Sequence, residues 1–218
     1  MVLRREKESI VDYGRKLIAA DLTTGTGGNL SILDEGRKQV LITPTGVACN
    51  AMTHEDVVVL DLDERIVEGR RKPSSEWHVH ISLYRARDDV SAVVHTHSVY
   101  ATTLACLHWE IPAVHYLVGF AGRGVPLAPY ATYGTEELAR HVIQSIGMSN
   151  AVLLANHGLI AVGPDLASAF HTAEEIEFVA RVYYLASCAG EPQLLSDREM
   201  DRVIEKFKHY GPKTGRNE

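Results

Sequence analysis

The sequence has few cysteines, no long apolar run and no excess of positive charge. Its three cysteines, Cys49, Cys106 and Cys188, are far apart and form no Cys-x-x-Cys pair, so we expect reduced thiols rather than a disulfide framework. No segment approaches the ~20 consecutive apolar residues of a membrane span. The N-terminal residues mix acidic and basic side chains, without the apolar segment of a signal peptide. These absences favour a cytoplasmic protein that does not bind a membrane.

The charge balance argues against a nucleic-acid partner. The 218 residues include 22 Lys and Arg against 28 Asp and Glu, a formal net charge of −6, whereas a nucleic-acid interface requires a basic patch. Apolar residues make up 45% of the chain, which is sufficient for a sizeable core. Because no internal repeat or linker is evident, the sequence predicts one domain over residues 1–218.

Hydrophobic periodicity predicts helices interspersed among short strands. The predicted helices cover about 4–22, 74–87, 100–107, 136–146, 167–189 and 201–207, and the predicted strands cover 30–33, 39–43, 57–60, 66–68, 92–97, 151–155 and 159–162. Residues 112–116 are predicted to be a short extended piece, and 126–133 a loop. Strands joined by short polar turns indicate antiparallel pairing. We therefore predict an α/β fold with a largely antiparallel sheet flanked by helices.

Two histidines one residue apart end an apolar segment, Val93-Val94-His95-Thr96-His97. In a strand, side chains at i and i+2 point to the same face, so His95 and His97 would present their imidazoles together. Neutral imidazole is the commonest metal ligand, and the pair would supply two of the ~3 protein ligands of a catalytic zinc site. A surface histidine pair at a strand end is the alternative, and the spacing alone does not decide between them.

The same spacing recurs at His78 and His80, but there it lies in a predicted helix. Trp77, Ile81 and Tyr84 fall on one apolar stripe of that helix. Residues i and i+2 of a helix do not face each other. We therefore interpret His78 and His80 as ordinary surface or packing residues rather than a ligand pair.

Other polar residues stand at the ends of predicted elements. His157 follows the buried strand 151–155, and Glu76 begins a helix, where a carboxylate suits either the helix dipole or a neighbouring metal. Serines after Pro73 suit a helix N-cap, and a free helix N-terminus binds anions. A set of hydroxyls, an amide and loop N–H groups suits a phosphate monoester, and its members are Gly28, Asn29, Thr45, Gly46, Ser74 and Ser75.

Six short motifs resemble those of the class II sugar-phosphate aldolases, and the resemblance runs in order from about residue 5 to 210. They are Gly25-Thr26-Gly27-Gly28-Asn29, Leu41-Ile42-Thr43-Pro44-Thr45-Gly46, Pro73-Ser74-Ser75-Glu76, Val94-His95-Thr96-His97, Ala128-Pro129-Tyr130 and Asn156-His157-Gly158-Leu159-Ile160. Within the family, the sequence is most similar to aldolases acting on L-fuculose 1-phosphate and 5-deoxyribulose 1-phosphate. Each motif alone is weak, whereas the ordered set is specific.

The resemblance implies a single three-layer α/β/α domain that assembles into a cyclic homotetramer with active sites between subunits. It implies that His95, His97 and His157 bind one divalent metal, zinc before manganese or cobalt. Glu76 matches the acid/base carboxylate, which can also touch the metal, and the phosphate-suited set matches the family's phosphate pocket. Tyr116 and Tyr210 match tyrosines that reach the aldehyde end from a neighbouring subunit, Tyr210 from a tail expected to be mobile beyond about residue 209.

The implied activity is reversible cleavage of a ketose 1-phosphate into dihydroxyacetone phosphate and a small aldehyde such as L-lactaldehyde or acetaldehyde. Cleavage leaves negative charge on the ketone fragment, which a metal stabilises, while Glu76 transfers the proton. A lysine Schiff base is the other aldolase strategy. Lysines such as Lys16, Lys72 and Lys206 lie in charged segments and are poor candidates for it.

Three alternatives are weighed against the aldolase. L-Ribulose-5-phosphate 4-epimerases carry aspartate in place of Glu76 and an acidic residue near Leu117-Val118-Gly119-Phe120, which is apolar here. A methylthioribulose-1-phosphate dehydratase matches less well, and a non-catalytic scaffold would have lost the metal ligands. The sequence does not specify the aldehyde, and the candidates for that end of the site are Phe120, Arg123 and Tyr133.

Overall fold

The computed structural model describes residues 2–209, and a sheet of eight strands forms the centre of this part of the chain. The strands are β1 (Asn29–Leu33), β2 (Gln39–Ile42), β3 (Val58–Asp61), β4 (Ile66–Glu68), β5 (Ala92–Thr96), β6 (Leu127–Ala128), β7 (Ala151–Leu154) and β8 (Gly158–Gly163). Their order in the sheet is β4-β3-β2-β1-β5-β8-β7-β6. Neighbouring strands pair antiparallel except β6 and β7, which are parallel, so the sheet is mixed.

Helices cover both faces of the sheet. They are α1 (Val2–Ala19), α2 (Trp77–Ala86), α3 (Val99–Leu107), α4 (Glu136–Ile146), α5 (Leu166–Ala189) and α6 (Asp197–Phe207), with a 3-10 helix over Tyr116–Phe120. One apolar cluster includes Ile10, Leu104 and Ile176 of α1, α3 and α5. A second cluster includes Ile81 of α2 and Val142 of α4. The predicted α/β class with flanking helices is confirmed, with the parallel β6–β7 pair as the correction to a purely antiparallel sheet.

Strand β5 lies between β1 and β8 and every one of its residues is buried. Its side chains alternate between the two cores, since Val94 belongs to the cluster with α1 and α5 and Val93 to the cluster with α2 and α4. The alternation places His95 and the following His97 on the same side as Val93, which is the side that α2 covers. Strand periodicity therefore directs both histidines toward Glu76 at the start of α2.

Several predicted helix boundaries are wrong for identifiable reasons. Helix α1 ends at Ala19 rather than near 22, because Asp21 adopts a left-handed conformation (φ 55°) and the N–H of Leu22 bonds the Leu17 carbonyl, the pattern that closes many helices. Helix α6 begins at Asp197 rather than 201, because the Ser196 side chain accepts a hydrogen bond from the Glu199 N–H.

The structure also differs from the predictions for the extended piece 112–116 and for the loop 126–133. Of the piece predicted as extended, 112–116, no residue joins the sheet; only the preceding Ile111 pairs, in an isolated bridge with Val125. Tyr116 instead opens the 3-10 helix, whose N-terminus is capped by the His115 side chain. The predicted loop 126–133 contains the two-residue strand β6. Among residues 2–209, no helix is long and apolar enough to cross a membrane.

Gly28 allows the loop before β1 to pass close to β5, and this contact yields a prediction. Its φ is +70°, and a Cβ there would lie 2.7 Å from the carbonyl oxygen of His95. Gly25 has a similar φ of +61° with nothing within 4 Å of a Cβ. Alanine at either position should cost about 1–2 kcal/mol of backbone strain, and Gly28→Ala should cost a further ~1–3 kcal/mol from the steric overlap.

Urea unfolding of the two variants, followed by circular dichroism in the presence of a chelator, measures the difference. Gly25→Ala is the matched control because it changes the backbone preference without the overlap. Equal losses of unfolding free energy in the two variants would contradict the close approach at Gly28.

Candidate metal centre and active site

Four side chains converge at one end of β5. Glu76, His95, His97 and His157 each offer a ligand atom, and these atoms all lie within 4.8 Å of one another. The Nε2 atoms of His95 and His97 are 2.9 Å apart. The two carboxylate oxygens of Glu76 lie 3.0 Å from His95 Nε2 and 3.2 Å from His157 Nε2. Three imidazole nitrogens and one carboxylate in such a cluster are a donor set that fits a divalent metal such as zinc.

Backbone geometry explains how the histidines meet. His95 is the fourth residue of β5, and His97 follows the strand directly, so the predicted i, i+2 pairing of their rings is confirmed. His157 lies in the turn between β7 and β8, and a Cβ on Gly158 would clash with the Thr96 carbonyl oxygen. Only glycine there lets the turn come close enough to β5 for His157 to join the cluster.

The tautomer of His95 is set by its backbone contact. Its Nδ1–H donates to the Leu159 carbonyl oxygen at 3.0 Å, so Nε2 is the ring nitrogen that faces the cluster. A hydrogen bond of this kind orients a metal-binding imidazole and raises its basicity. His95 is buried, whereas His97 is exposed, so one candidate ligand is anchored in the core and one lies at the opening of the site.

The electrostatics of the cluster suit metal binding at neutral pH. Burial alone would raise the pKa of Glu76, but the charges and hydrogen bonds of His95, His157 and Asn29 hold it far below its ordinary value. Burial alone would lower the pKa of His95, but Glu76 and the Leu159 carbonyl raise it. Loss of water contact and the charge on His95 lower the pKa of His97 and of His157 to about 4. Glu76 is thus ionised and His97 and His157 are neutral, whereas His95 carries the charge that Glu76 stabilises and would have to release its Nε2 proton to bind a metal.

Asn29 and His80 hold Glu76 from behind. The Asn29 Nδ2 donates to Glu76 Oε2 at 2.8 Å, and the Asn29 Oδ1 lies 2.5 Å from Nε2 of the fully buried His80. The interpretation of His80 as a packing residue missed this link to the site. Glu76 and His80 are four residues apart, which places them on the same face of α2, and that spacing was the available signal. His78 is half-buried and stacks on Trp77, as expected of a surface residue.

A cavity of about 360 Å³ opens in front of the cluster. Every residue of the phosphate-suited set lines it, together with Glu76, His97 and His157, and no lysine or arginine among residues 2–209 does. Helix α2 begins at Trp77 rather than 74, and no serine side chain caps it; Ser74 Oγ instead accepts a hydrogen bond from the Glu76 N–H at 3.3 Å.

A larger groove of about 670 Å³ lies beside α1 and β4, where the Lys7 ammonium is paired with Glu68.

Two tyrosines border the cavity. Tyr133 was predicted near the aldehyde end and does line it, as does Tyr130, to which the sequence analysis gave no role. Both side chains are exposed, Tyr130 by 59% and Tyr133 by 67%. The position of Tyr130 directly after Ala128-Pro129 in one of the six motifs was the signal that could have identified it.

The other predicted aldehyde-end residues lie elsewhere in this chain. Tyr116 packs near the ring of Phe207, and Phe120 stacks on that ring at a centroid distance of 4.3 Å. Arg123 pairs with Asp201 at 2.8 Å. None of the three lines the cavity of its own chain. The roles given to Tyr116, Phe120 and Arg123 stay predictions, that of Tyr116 as a residue reaching the site from a neighbouring subunit, and Tyr210 lies outside the described residues.

Comparison with known proteins agrees with the geometry. Residues 8–184 match the family described as Class II Aldolase and Adducin N-terminal domain. The chain is 50% identical, over 97% of its length and 99% of the relative's, to a 5-deoxy-D-ribulose 1-phosphate aldolase of Bacillus thuringiensis serovar kurstaki. It is 40% identical, over 93% of its length and 94% of the relative's, to the L-fuculose phosphate aldolase of Escherichia coli K12. A solved L-fuculose 1-phosphate aldolase superposes with a TM-score of 0.91 at 47% identity, covering 93% of this chain and 95% of that one.

Removal of one histidine tests the metal centre. His97→Ala removes a ligand from the exposed side of the cluster and should leave the core intact, because His97 is itself exposed. Affinity for zinc should fall by more than the ~10–100-fold that follows loss of a residue merely hydrogen-bonded to a metal ligand. Competition titration with a chromophoric chelator measures the affinity.

His78→Ala is the matched control, since it removes a histidine from the surface of α2 away from the cluster. It should bind zinc as the unaltered protein does. A full equivalent of tightly bound zinc in His97→Ala would remove His97 from the ligand set.

Proposed function

The chain belongs to the class II aldolase and adducin N-terminal domain family, and we propose that it is a metal-dependent aldolase acting on a ketose 1-phosphate. The products are dihydroxyacetone phosphate and a small aldehyde, L-lactaldehyde from L-fuculose 1-phosphate or acetaldehyde from a 5-deoxypentulose 1-phosphate. The observation that carries the proposal is the buried Glu76 carboxylate, about 3 Å from two imidazoles and at the wall of a cavity that neutral donors line. Relatives named for both substrates support it.

Glu76, His95, His97 and His157 would hold the metal, zinc before manganese or cobalt. A divalent ion supplies Lewis acidity that stabilises negative charge on the oxygens of a ketone fragment. The protein keeps these ligands ready because His95 is oriented by the Leu159 carbonyl, and His97 and His157 remain neutral at physiological pH.

Glu76 is proposed as the residue that moves the proton on the ketone fragment. Its carboxylate is ionised, 6% exposed, and fixed by Asn29 at one oxygen. In the cleavage direction it would protonate the carbon released by bond breaking, and in synthesis it would remove that proton. Tyr116 and Tyr210 of a neighbouring subunit are proposed to exchange a proton with the aldehyde oxygen.

The phosphate group of the substrate is proposed to bind among the neutral donors of the cavity. Ser74 is buried, Ser75 is exposed, and the loop of Gly46, whose φ is +70°, lies beside them because Pro44 and Pro73 form an isolated β-bridge. Backbone N–H groups at the start of α2 and in the loops around Gly28 and Gly46 suit an anion without a lysine or arginine.

Assembly as a homotetramer with shared active sites is part of this proposal. Large apolar side chains on α3 and α5 are exposed, including Val99 by 66%, Phe178 by 47% and Leu185 by 50%. Surfaces of this kind commonly mark contacts between proteins. The cytoplasmic location is supported by the three cysteines, which are all free thiols.

The aldolase is preferred to its alternatives for reasons that the site displays. The acid/base position is a glutamate, and the segment where epimerases carry an acidic residue forms the apolar 3-10 helix Tyr116–Phe120. A non-catalytic scaffold would not need three imidazoles and an ionised carboxylate in contact, because such a cluster is unfavourable to bury without a ligand or a reaction to serve.

A cleavage assay with several substrates tests the activity. L-Fuculose 1-phosphate and 5-deoxyribulose 1-phosphate should release dihydroxyacetone phosphate from the zinc-loaded protein, and L-ribulose 5-phosphate should not. The corresponding unphosphorylated ketose is the control for the phosphate pocket. Conversion of L-ribulose 5-phosphate without release of a three-carbon phosphate would favour the epimerase.

Replacement of the carboxylate tests the mechanism. Glu76→Gln preserves size and polarity but cannot accept a proton, so kcat should fall about 10²–10⁴-fold. Exchange of a carbon-bound proton of dihydroxyacetone phosphate with deuterium from the solvent should fall by a similar factor, without any aldehyde. Glu35→Gln, in the exposed turn after β1, is the control. Exchange at the unaltered rate by zinc-loaded Glu76→Gln would show that another group is the base.

A further inference from the structure

A continuous chain of hydrogen bonds runs from the interior of the protein to the Glu76 carboxylate. The Tyr84 hydroxyl lies 2.6 Å from Ser31 Oγ, and Ser31 Oγ lies 2.6 Å from His80 Nδ1. His80 Nε2 lies 2.5 Å from Asn29 Oδ1, and Asn29 Nδ2 donates to Glu76 Oε2 at 2.8 Å. All five residues are buried, and none is more than 6% exposed. We call this set the Tyr84–Glu76 chain.

Two periodicities place these side chains opposite each other. Asn29 and Ser31 are alternate residues of β1 and therefore point to the same face. Glu76, His80 and Tyr84 are spaced by four residues at and along α2, so they also share a face. A row of polar side chains on α2 thus meets a row on β1, inside a contact that is otherwise apolar, with Leu33 and Leu83 in the surrounding cluster.

The chemistry of the groups gives the chain one direction. An ionised carboxylate only accepts hydrogen bonds, so Asn29 must turn its Nδ2 toward Glu76 and its Oδ1 toward His80. His80 must then carry its proton on Nε2, and its Nδ1 must accept from the Ser31 hydroxyl. The Ser31 oxygen in turn accepts from Tyr84, which is the first donor. Reversing any one bond would place two acceptors or two donors against each other.

The protonation states agree with this direction. Burial, reinforced by the charge on His95, lowers the pKa of His80 to about 3, so the ring is neutral and has a single N–H. Burial raises the pKa of Tyr84 above its ordinary value, and its hydroxyl therefore remains a donor. Each member has the hydrogen that its position in the chain requires.

We propose that His80 is a positioning residue for proton transfer: its Nε2–H fixes the Asn29 amide, and the amide fixes the Glu76 carboxylate. The two ends of a side-chain amide have nearly the same shape, so packing alone does not orient it. Without a donor at His80, Asn29 Oδ1 would lose its buried partner, and the amide would be held only by the Glu76 carboxylate that it is meant to fix. The role of His80 rests on the proposed function, since Glu76 transfers a proton only in that reaction.

The first test measures the proton on His80 directly. Nitrogen-15 NMR of histidine side chains in the zinc-loaded protein distinguishes an Nε2–H ring, an Nδ1–H ring and an imidazolium, and His80→Gln identifies the signal. A neutral Nε2–H ring is expected between pH 5 and 8, because Nε2 must donate to Asn29 Oδ1. An ordinary histidine, with a pKa of about 6.5, would change its charge within this range. An Nδ1–H ring or an imidazolium would overturn the proposal.

The second test separates positioning from packing. His80→Phe removes the donor, and deuterium exchange into dihydroxyacetone phosphate at saturation should fall about 10–100-fold, as for other residues that orient metal-site side chains. His80→Gln has an amide N–H that can replace Nε2–H, so it should recover most of the rate. Val79→Ala is the matched control, because Val79 is buried on the same helix but lies outside the chain.

Val79→Ala should lower the melting temperature without lowering the exchange rate per folded, zinc-loaded protein. Ser31→Ala removes only the donor to Nδ1, and it replaces His80→Phe should that variant not fold; its exchange rate should fall by a smaller factor. Unaltered exchange in the folded His80 or Ser31 variant, or an equal loss in Val79→Ala, would overturn the positioning role. Failure of the unaltered protein to exchange would instead overturn the proposed function, whatever tautomer the NMR shows.

Discussion

The contact between the Glu76 carboxylate and the imidazoles of His95 and His157 is the interaction on which the rest of the site depends. An ionised carboxylate is unfavourable to bury, and it persists only where charge and hydrogen bonds compensate. Here the compensation comes from three elements: α2 supplies the carboxylate, β5 supplies His95, and the turn after β7 supplies His157. The sheet order, which places β5 between β1 and β8, is what brings those elements to one point.

The periodicities that predict the fold also determine how much of the site was predictable. The i, i+2 alternation of β5 correctly predicted that the rings of His95 and His97 lie together. In α2 the same i, i+2 spacing correctly predicted that His78 and His80 do not form a pair. The four-residue spacing between Glu76 and His80, which places both on one face of the helix, was the signal that this comparison did not include. A polar row along a helix is visible in sequence, whereas the partner row on β1 becomes evident only when the two elements are packed.

The remaining errors arose where no periodicity exists. Strand β6 has two residues and was predicted as loop, because its pairing with β7 is a tertiary contact without an alternating pattern. Tyr116, the first residue of the 3-10 helix, was predicted to be extended, since a five-residue helix has too few turns to give a periodic signal. Tyr116, which was assigned to the aldehyde end, does not line the cavity of its own chain, and its assignment came from the family resemblance rather than from a periodic pattern in the sequence.

His157 is far from His95 and His97 in sequence, and the chain between them includes α3, β6 and α4. An ion bound by all three histidines would therefore act as a cross-link that closes a long loop, in addition to its role in the reaction. The unfolded chain has no preformed site, so the free energy of ion binding is added to the free energy of unfolding. With this ligand geometry, the free energy of unfolding of this enzyme would rise with the free concentration of the ion. The metal that the reaction needs would therefore also stabilise the fold.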